Sequence, residues 1–342
     1  MTIVGSWPAG ARRAPLPPIA KALLIWGGPL LLLAVGMALG LSLGALNLGP
    51  ERVLDGLLDR NDSLARTIVW DLRLPRVLLA ALVGASLGVS GGLLQGVTRN
   101  PLADPYILGL TAGGGLAASI AIRASQTFPQ ELVAPVAFGG SVLAAVLVYG
   151  MSWQGGVSPL RLALAGVAVA SLLTAGTTVI LVTSNLFTQA ALAWLAGGLY
   201  GRGWEELHAM WPYAIAGISA AVLLSRSMNV LSLGDETAQS LGLNVERARL
   251  LAVGVAALLA GAAVSAAGMV AFVGLVIPHI VRLMTGDDHR TLLPLSSLLG
   301  ASLVVYADVF ARVVQAPVEI PMGIVTAAIG APFLLYLIRA KT

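Results

Sequence analysis

Nine runs of this sequence contain no aspartate, glutamate, lysine or arginine, and that spacing of charge constrains the fold more than any motif. Between Arg76 and Arg99 lie 22 uncharged residues, about 33 Å of helix against a hydrocarbon core of roughly 30 Å. The chain is 57% hydrophobic and 11% charged, a composition that a water-soluble domain of 342 residues would not tolerate. We therefore predict an all-α polytopic membrane protein. The runs cover residues 22–50, 77–98, 105–122, 132–160, 162–201, 207–225, 250–281, 291–307 and 320–338.

Two of the runs are too long for a single crossing. The run at 250–281 would form roughly 48 Å of helix. Because Gly268, Gly274 and Pro278 interrupt it, we predict a full span at about 250–268 and a short, partly embedded helix near 272–284.

The run at 162–201 poses the same problem, and we predict one span to about residue 183 followed by a short interfacial segment at 190–200. The expected architecture is ten transmembrane helices with short broken or interfacial helices between them. We place residues 1–21 in an N-terminal tail and residues 22–342 in a single transmembrane domain.

Four glycines, Gly84, Gly88, Gly92 and Gly96, recur every fourth residue inside the 77–98 run. They fall on one side of the predicted helix. Small residues at this spacing let another helix backbone approach closely, which is how helices associate in lipid. We predict that these glycines pack the helix and that this span is buried among others.

The distribution of basic residues predicts the orientation of the chain. An even number of spans places both termini on one side, and the positive-inside rule assigns that side to the cytoplasm. This arrangement puts 12 of the 20 lysines and arginines inside. Segments 47–76, 123–131, 202–208 and 312–319 are then expected to face outward.

Several catalytic and binding functions are excluded because the residues they need are absent. The chain has no cysteine for a disulfide, a thiolate catalyst or a cysteine metal site. Neither Lys21 nor Lys341 stands in a P-loop, so we predict that the chain does not hydrolyse ATP. The three histidines have no metal-ligand spacing, and we predict no catalytic residue or metal site. The net charge of +4 is spread over loops, which argues against nucleic acid as a partner. No carboxylate lies in the middle of a span, whereas ion-coupled transporters usually keep one there.

Polar residues at the ends of the runs leave alternatives open. Arg73, Arg76 and Arg312 could pair with carboxylates at a protein interface or extend to lipid headgroups. Asn100, Pro101 and Leu102 could be only a helix-ending turn, because Pro101 keeps Asn100 out of helical geometry.

The loop at 226–249 contains signals for two short helices. Ser232 with Asp235 resembles a capping box, Gly242 is placed as a stop, and Asn244 can cap a second start. The alternative is an ordinary solvated hairpin between spans.

Five segments stand out along the chain: RLPR at 73–76, QGVTRNPLADPYILG at 95–109, LGLNVERAR at 241–249, GMVAFVGLVIPHIVRLMTGDDHR at 268–290 and EIPMGIVTAAIGAPFLLYLI at 319–338. Together they resemble the permeases of bacterial ABC importers for iron-siderophores, haem and cobalamin. The resemblance implies a multi-pass protein of the bacterial inner membrane, paired with a second, identical or related permease subunit. Two ABC ATPase subunits, which use ATP and Mg²⁺, and a substrate-binding protein complete such an importer. This chain is then not an enzyme and binds no cofactor.

The resemblance also assigns roles to individual residues. Docking of the binding protein falls to Arg73, Arg76 and Arg312, opposite glutamates on its two lobes. The cytoplasmic gate includes Asn100 and Leu102, together with Ser158, Pro159 and Leu160, where GGVSPLR departs from the family's pattern. The coupling helices that contact the ATPase match residues 231–247, with Asp235, Glu236, Ser240, Leu241, Gly242 and Leu243.

The segment AWLAGGLYGRGWEEL at 193–207, and PYILG after NPLAD, resemble the ferric-siderophore branch more than the cobalamin branch. We expect a ferric siderophore as substrate, with haem or cobalamin as alternatives in the same family. From other classes, an ion-coupled secondary transporter and a non-transporting membrane scaffold remain hypotheses.

Overall fold

The computed structural model describes residues 23–58, 63–124, 129–183 and 188–340, and helices dominate it. The predicted tail at 1–21 lies outside the described residues. A helical lead at Ser63–Arg66 and Thr67–Arg73 runs into the third helix without a break. The helices are α1 Leu23–Ser42, α2 Pro50–Leu58, α3 Leu74–Thr98, α4 Leu110–Arg123, α5 Val133–Met151, α6 Pro159–Thr183, α7 Thr188–Leu195, α8 Trp204–Ser232, α9 Asp235–Ser240, α10 Val245–Ala267, α11 Val273–Thr285, α12 His289–Val313 and α13 Met322–Ala340.

Seven of these helices are long and apolar enough to cross a membrane: α1, α3 with its helical lead, α5, α6, α8, α10 and α12. The shorter helices α11 and α13 are also apolar, and α4 has 14 residues. The predicted class, an all-α polytopic membrane protein with shorter helices among its spans, is confirmed.

Both long charge-free runs divide where the sequence predicts. In the first, α10 ends at Ala267, Gly268 adopts a φ of +69°, and α11 begins at Val273. In the second, α6 ends at Thr183 and α7 occupies Thr188–Leu195. Glycine permits the positive φ at the first break because it has no Cβ.

Of the two short helices predicted in the 226–249 loop, the first is present as α9, Asp235–Ser240, and the second is wrong. Ser232 ends α8, where its hydroxyl donates to the carbonyl of Asn229, and the residue before α9 is Gly234. Asn244 does cap a helix, by accepting from the backbone N–H of Arg247, but that helix is α10 itself. The apolar sequence that follows offers no break before Gly268, so the cap starts a full span instead of one turn.

The third helix is the centre of the fold. Every residue from Val83 to Thr98 is buried, and α3 packs against α8, α10, α11 and α12. A Cβ on Gly84 would lie 2.1 Å from the carbonyl oxygen of Gly300, and one on Gly88 would lie 2.4 Å from that of Ser296. These two glycines therefore let the backbones of α3 and α12 touch.

The other two glycines of this series, Gly92 and Gly96, contact side chains and not backbone. A Cβ on Gly92 would meet Leu293 Cδ2 at 3.0 Å, and one on Gly96 would meet His289 Nε2 at 2.7 Å. Gly91, on a different face, brings α3 within reach of α11.

Candidate functional site

The N-terminal end of α3 carries a buried arginine that closes the end of α1. Arg73 is 7% exposed. Its guanidinium donates to the carbonyl oxygens of Leu41 at 2.7 Å and Ser42 at 2.9 Å, and also to that of Leu46. The last carbonyls of a helix have no partner within it, so this side chain satisfies groups that α1 leaves free.

Arg76, one turn further along, is held by two carboxylates. Asp308 of α12 accepts from its Nε at 3.1 Å and its Nη2 at 2.8 Å. Glu319, just before α13, accepts from Nη1 at 3.1 Å and Nη2 at 2.8 Å. Arg312 completes the group: its Nε lies 3.1 Å from the other oxygen of Asp308, and its Nη2 donates to the carbonyl of Gly40 at 3.2 Å.

All three predicted docking arginines line one cavity of about 550 Å³, which Tyr200 and Glu319 also line. Sequence reasoning brought the arginines to one end of the protein but missed that each has internal partners. The available signal was the spacing of Asp308 and Arg312, which places a carboxylate and a guanidinium on one helix face. Their role in docking remains a prediction.

The C-terminal end of α3 holds the predicted gate turn. Arg99 ends the helix in the left-handed conformation, with φ 50° and ψ 33°. The Asn100 side chain accepts from the backbone N–H of Leu102 at 3.0 Å, which fixes the turn, and the Leu102 side chain is 40% exposed.

Asp104 follows this turn and is a residue that sequence reasoning did not single out. It is 3% exposed, accepts from the N–H of Tyr106 at 2.7 Å, and lies against Gly274 in the first turn of α11. Burial raises the pKa of Asp104 to about 6, although backbone N–H groups including those of Tyr106 and Leu275 oppose the shift. The carboxylate thus joins the segment after the Asn100 turn to the N-terminus of α11.

The second predicted gate element stands at the start of α6. Ser158 Oγ accepts from Arg161 Nε at 3.1 Å, Pro159 is the first residue of the helix, and Leu160 is 69% exposed. The preceding residue, Val157, is buried, and its N–H donates to Glu246 Oε1 at 3.1 Å.

The predicted coupling residues lie on and after α9. Glu236, Ser240, Leu241 and Gly242 are exposed, and Leu243 is half-buried. Asp235 differs from them because its carboxylate contacts both Arg99 and Arg249.

The two guanidiniums set the charge state of that carboxylate. Partial burial alone would raise the pKa of Asp235, but the hydrogen bonds and charges of Arg249 and Arg99 outweigh it and hold the pKa below its ordinary value. Asp235 is therefore ionised at neutral pH. Sequence reasoning placed Arg249 only among the basic residues of an inner loop.

The three histidines have different partners, although His279 and His289 line the same cavity. His208 stacks on Trp204, the ring of His279 meets Phe333 edge-on, and the backbone N–H of His289 donates to the side chain of Asn229 at 2.8 Å. Across the described ranges, no three His, Asp or Glu side chains are grouped to hold a metal ion.

Residues 31–340 match the FecCD transport family. The chain belongs to the FecCD transport family. It is 41% identical over 312 residues to the Fe(3+)-citrate import system permease protein YfmD of Bacillus subtilis, covering 91% of this chain and 92% of the relative. It is 45% identical over 281 residues to the cobalamin import system permease protein BtuC of Halobacterium salinarum, covering 81% and 74%.

A solved structure, described as an inward-facing conformation of a metal-chelate type ABC transporter, has the same fold. The TM-score is 0.83 at 30% sequence identity, covering 92% of this chain and 98% of the other. As a FecCD-family member, the chain is a multi-span membrane permease of an ABC importer, and the resemblance in the sequence motifs is confirmed.

Proposed function

We propose that this chain is the permease subunit of an ATP-driven, binding-protein-dependent importer for an iron chelate in the bacterial inner membrane. One observation carries the proposal beyond the family: the buried helix α3 joins the arginine-lined cavity at one end to the Asn100–Leu102 turn at the other. A docking surface and a gate on one helix suit a transport path that opens at alternate ends.

In this proposal the N-terminal end of α3 faces outward. Arginines outnumber carboxylates among the side chains that line the cavity there, which favours a binding protein with acidic contact residues. Arg73, Arg76 and Arg312 then orient or meet those residues, since guanidinium forks pair well with carboxylates.

The opposite end meets the cytoplasm and the ATPases. The exposed side chains of Glu236, Ser240 and Leu241 give a separate ATPase subunit its contact surface. That subunit binds ATP and Mg²⁺, and a second permease subunit, identical or related, encloses the path. Asn100 and Leu102, with Ser158 to Leu160, form the gate above it.

The substrate we propose is a ferric chelate, with a ferric siderophore favoured over haem. The relation to a permease for Fe(3+)-citrate supports this choice, as does the 193–207 segment. Cobalamin is the second candidate, since the cobalamin permease of Halobacterium salinarum is 45% identical over the part aligned.

Reconstitution in liposomes tests the proposal. The permease is combined with its ATPase and binding protein, and uptake of a ⁵⁵Fe-labelled chelate is followed with and without ATP. We expect uptake only when all three proteins and ATP are present. Uptake by the permease alone under a sodium or proton gradient would establish a secondary transporter instead. An ATPase rate that is the same with and without the loaded binding protein would favour a non-transporting scaffold.

Two further measurements address docking and substrate. Acidic residues on the lobes of the binding protein can be changed to glutamine without altering this chain. We expect this change to lower the affinity of the binding protein for the permease at least tenfold and to reduce the salt dependence of docking. Titrating the binding protein with ferric siderophores, haem and cobalamin identifies the chelate, and a preference for cobalamin would overturn the iron assignment.

A further inference from the structure

Arg249, near the start of α10, is a fully buried charge, with 0% of its side chain exposed. Burying a guanidinium costs free energy unless hydrogen bonds and opposite charges replace the lost water. The partners of this side chain therefore define what it holds together.

Its two terminal nitrogens reach two other segments and a residue of its own helix. Nη2 donates to both oxygens of Asp235 on α9, at 3.0 Å each. Nη1 donates to the carbonyl of Val157, next to the second gate element, and lies 3.4 Å from Glu246 Oε1. Glu246 in turn accepts from the N–H of Val157, so both the N–H and the carbonyl of Val157 are hydrogen-bonded to this cluster.

Asp235 extends the cluster to the other gate. Its Oδ1 also accepts from Arg99, whose Nε donates to the carbonyl of Leu231 at 3.2 Å at the end of α8. Arg99 is the residue at which α3 ends, immediately before Asn100. One line of contacts thus runs from the Asn100 turn through Arg99, Asp235 and Arg249 to Val157.

This geometry gives α9 two faces with different partners. Glu236, Ser240 and Leu241 are exposed, while Asp235 points to the buried guanidinium. A displacement of α9 must either carry Arg249 with it or break the ion pair between Nη2 and Asp235. A lysine could not replace this connection, because its single ammonium lacks the planar fork whose two nitrogens reach Asp235 and the carbonyl of Val157 at once.

We propose that Arg249 is the positioning residue that couples α9 to both gate elements, so that movement of the coupling helix and of the two gate loops is one event. The proposal rests on the proposed function. It assigns to a single buried side chain the mechanical link between the ATPase contact surface and the two gate elements, Asn100–Leu102 and Ser158–Leu160.

The test compares uptake with ATP consumption in proteoliposomes that contain the permease, its ATPase and its binding protein. In Arg249→Lys we expect ATP hydrolysis within about twofold of wild type but at least tenfold less chelate transported per ATP. Arg247→Lys, an exposed arginine in the same helical turn, is the matched control and is expected to keep the wild-type ratio.

A second variant separates coupling from folding. Asp235 is partly exposed, so Asp235→Asn preserves shape at the surface while it removes the charge that Arg249 and Arg99 share. It should show the same loss of transport per ATP. A purely structural role would lower the thermal midpoint of the variants and leave the transport-to-ATP ratio unchanged.

The outcomes are distinct. A wild-type ratio in folded Arg249→Lys and Asp235→Asn, beside an active wild-type complex, overturns the coupling role alone. A wild-type complex without ATP-dependent uptake overturns the proposed function and the role of Arg249 with it.

Discussion

Arg76 shows how a single residue can carry a charge inside an apolar bundle. Its side chain is 12% exposed and that of Asp308 is 2% exposed, so the pair has given up most of its water. Several charge-assisted hydrogen bonds compensate that loss, and Arg312 balances the second oxygen of Asp308. The free energy of unfolding therefore depends on the completeness of this group and not on any one contact.

Asp308→Asn tests that dependence. The amide keeps the shape of the side chain but leaves Arg76 and Arg312 with less compensating charge, and we expect the free energy of unfolding to fall by roughly 1–3 kcal/mol. Thermal unfolding in detergent measures it. Asp71→Asn, an exposed carboxylate in the lead to α3, is the control and should change stability by less than about 0.5 kcal/mol.

A double variant sharpens the result. Replacing Asp308 and Arg312 together with leucine should cost less than changing Asp308 alone, because no uncompensated charge remains from that pair. Equal stability of Asp308→Asn and the wild type would contradict the view that this group holds the end of the bundle.

The residues of this site were only partly predictable. The motif around RLPR identified Arg73 and Arg76, because their type and place at a helix end suit carboxylate recognition. Their internal partners could not be found in the same way, since Asp308 lies 232 positions from Arg76 along the chain. The role of Arg249 was not predicted for a similar reason, because the local sequence does not distinguish a buried guanidinium from a solvated one in the same loop.

At the scale of elements, the contact between α3 and α12 is set by backbone, not by side chains. Gly84 and Gly300 face each other so closely that a Cβ on either would approach the carbonyl oxygen of the other, at 2.1 Å and 2.3 Å. Such a contact gains dispersion energy over two backbones and has no flexible group that could move aside.

Gly84→Ala should therefore force the two helices apart. We expect a loss of about 1–3 kcal/mol in stability, typical of an overpacked core, and a smaller yield of folded protein in size-exclusion chromatography. Gly254→Ala, in α10, is the matched control because a Cβ there meets nothing within 4 Å. That change should be neutral or stabilise by about 0.5–1 kcal/mol through helix propensity. Similar behaviour of the two alanine variants would refute the close-contact explanation.

Elements were more predictable than partners, because the cost of burying charge marks each span in the sequence. The need for a break in each long run followed from its length, and Gly268 marked the place of the first one. The start of α4 did not: the run begins at 105, but the helix begins at Leu110, after Gly109 with a φ of +79°. A Cβ on Gly109 would lie 3.1 Å from the backbone of α6 at Ala170, so packing between distant segments sets this boundary.

At the scale of the whole molecule, burial divides the spans into inner and outer ones. The apolar stretch of α3 is 83% buried, and those of α10 and α12 are 67% buried, whereas those of α1 and α6 are 17% buried. The outer helices present leucines and valines such as Leu172 and Val182, which suits contact with lipid or with a second permease subunit. The two ends of the inner helices then define the two faces of the membrane.

The orientation of the chain in the membrane can be measured directly with introduced cysteines, because the sequence has none of its own. The positive-inside rule places the α9 end in the cytoplasm and the α2 end outside. In right-side-out vesicles, a membrane-impermeant maleimide should label Arg52→Cys on α2 but not Leu241→Cys, whose native side chain is 62% exposed after α9. In inverted vesicles the labelling should exchange, with Ala85→Cys, at a buried position of α3, protected in both. The opposite pattern would reverse the topology, and Arg73 and Arg76 would then face the ATPases, where no binding protein could reach them.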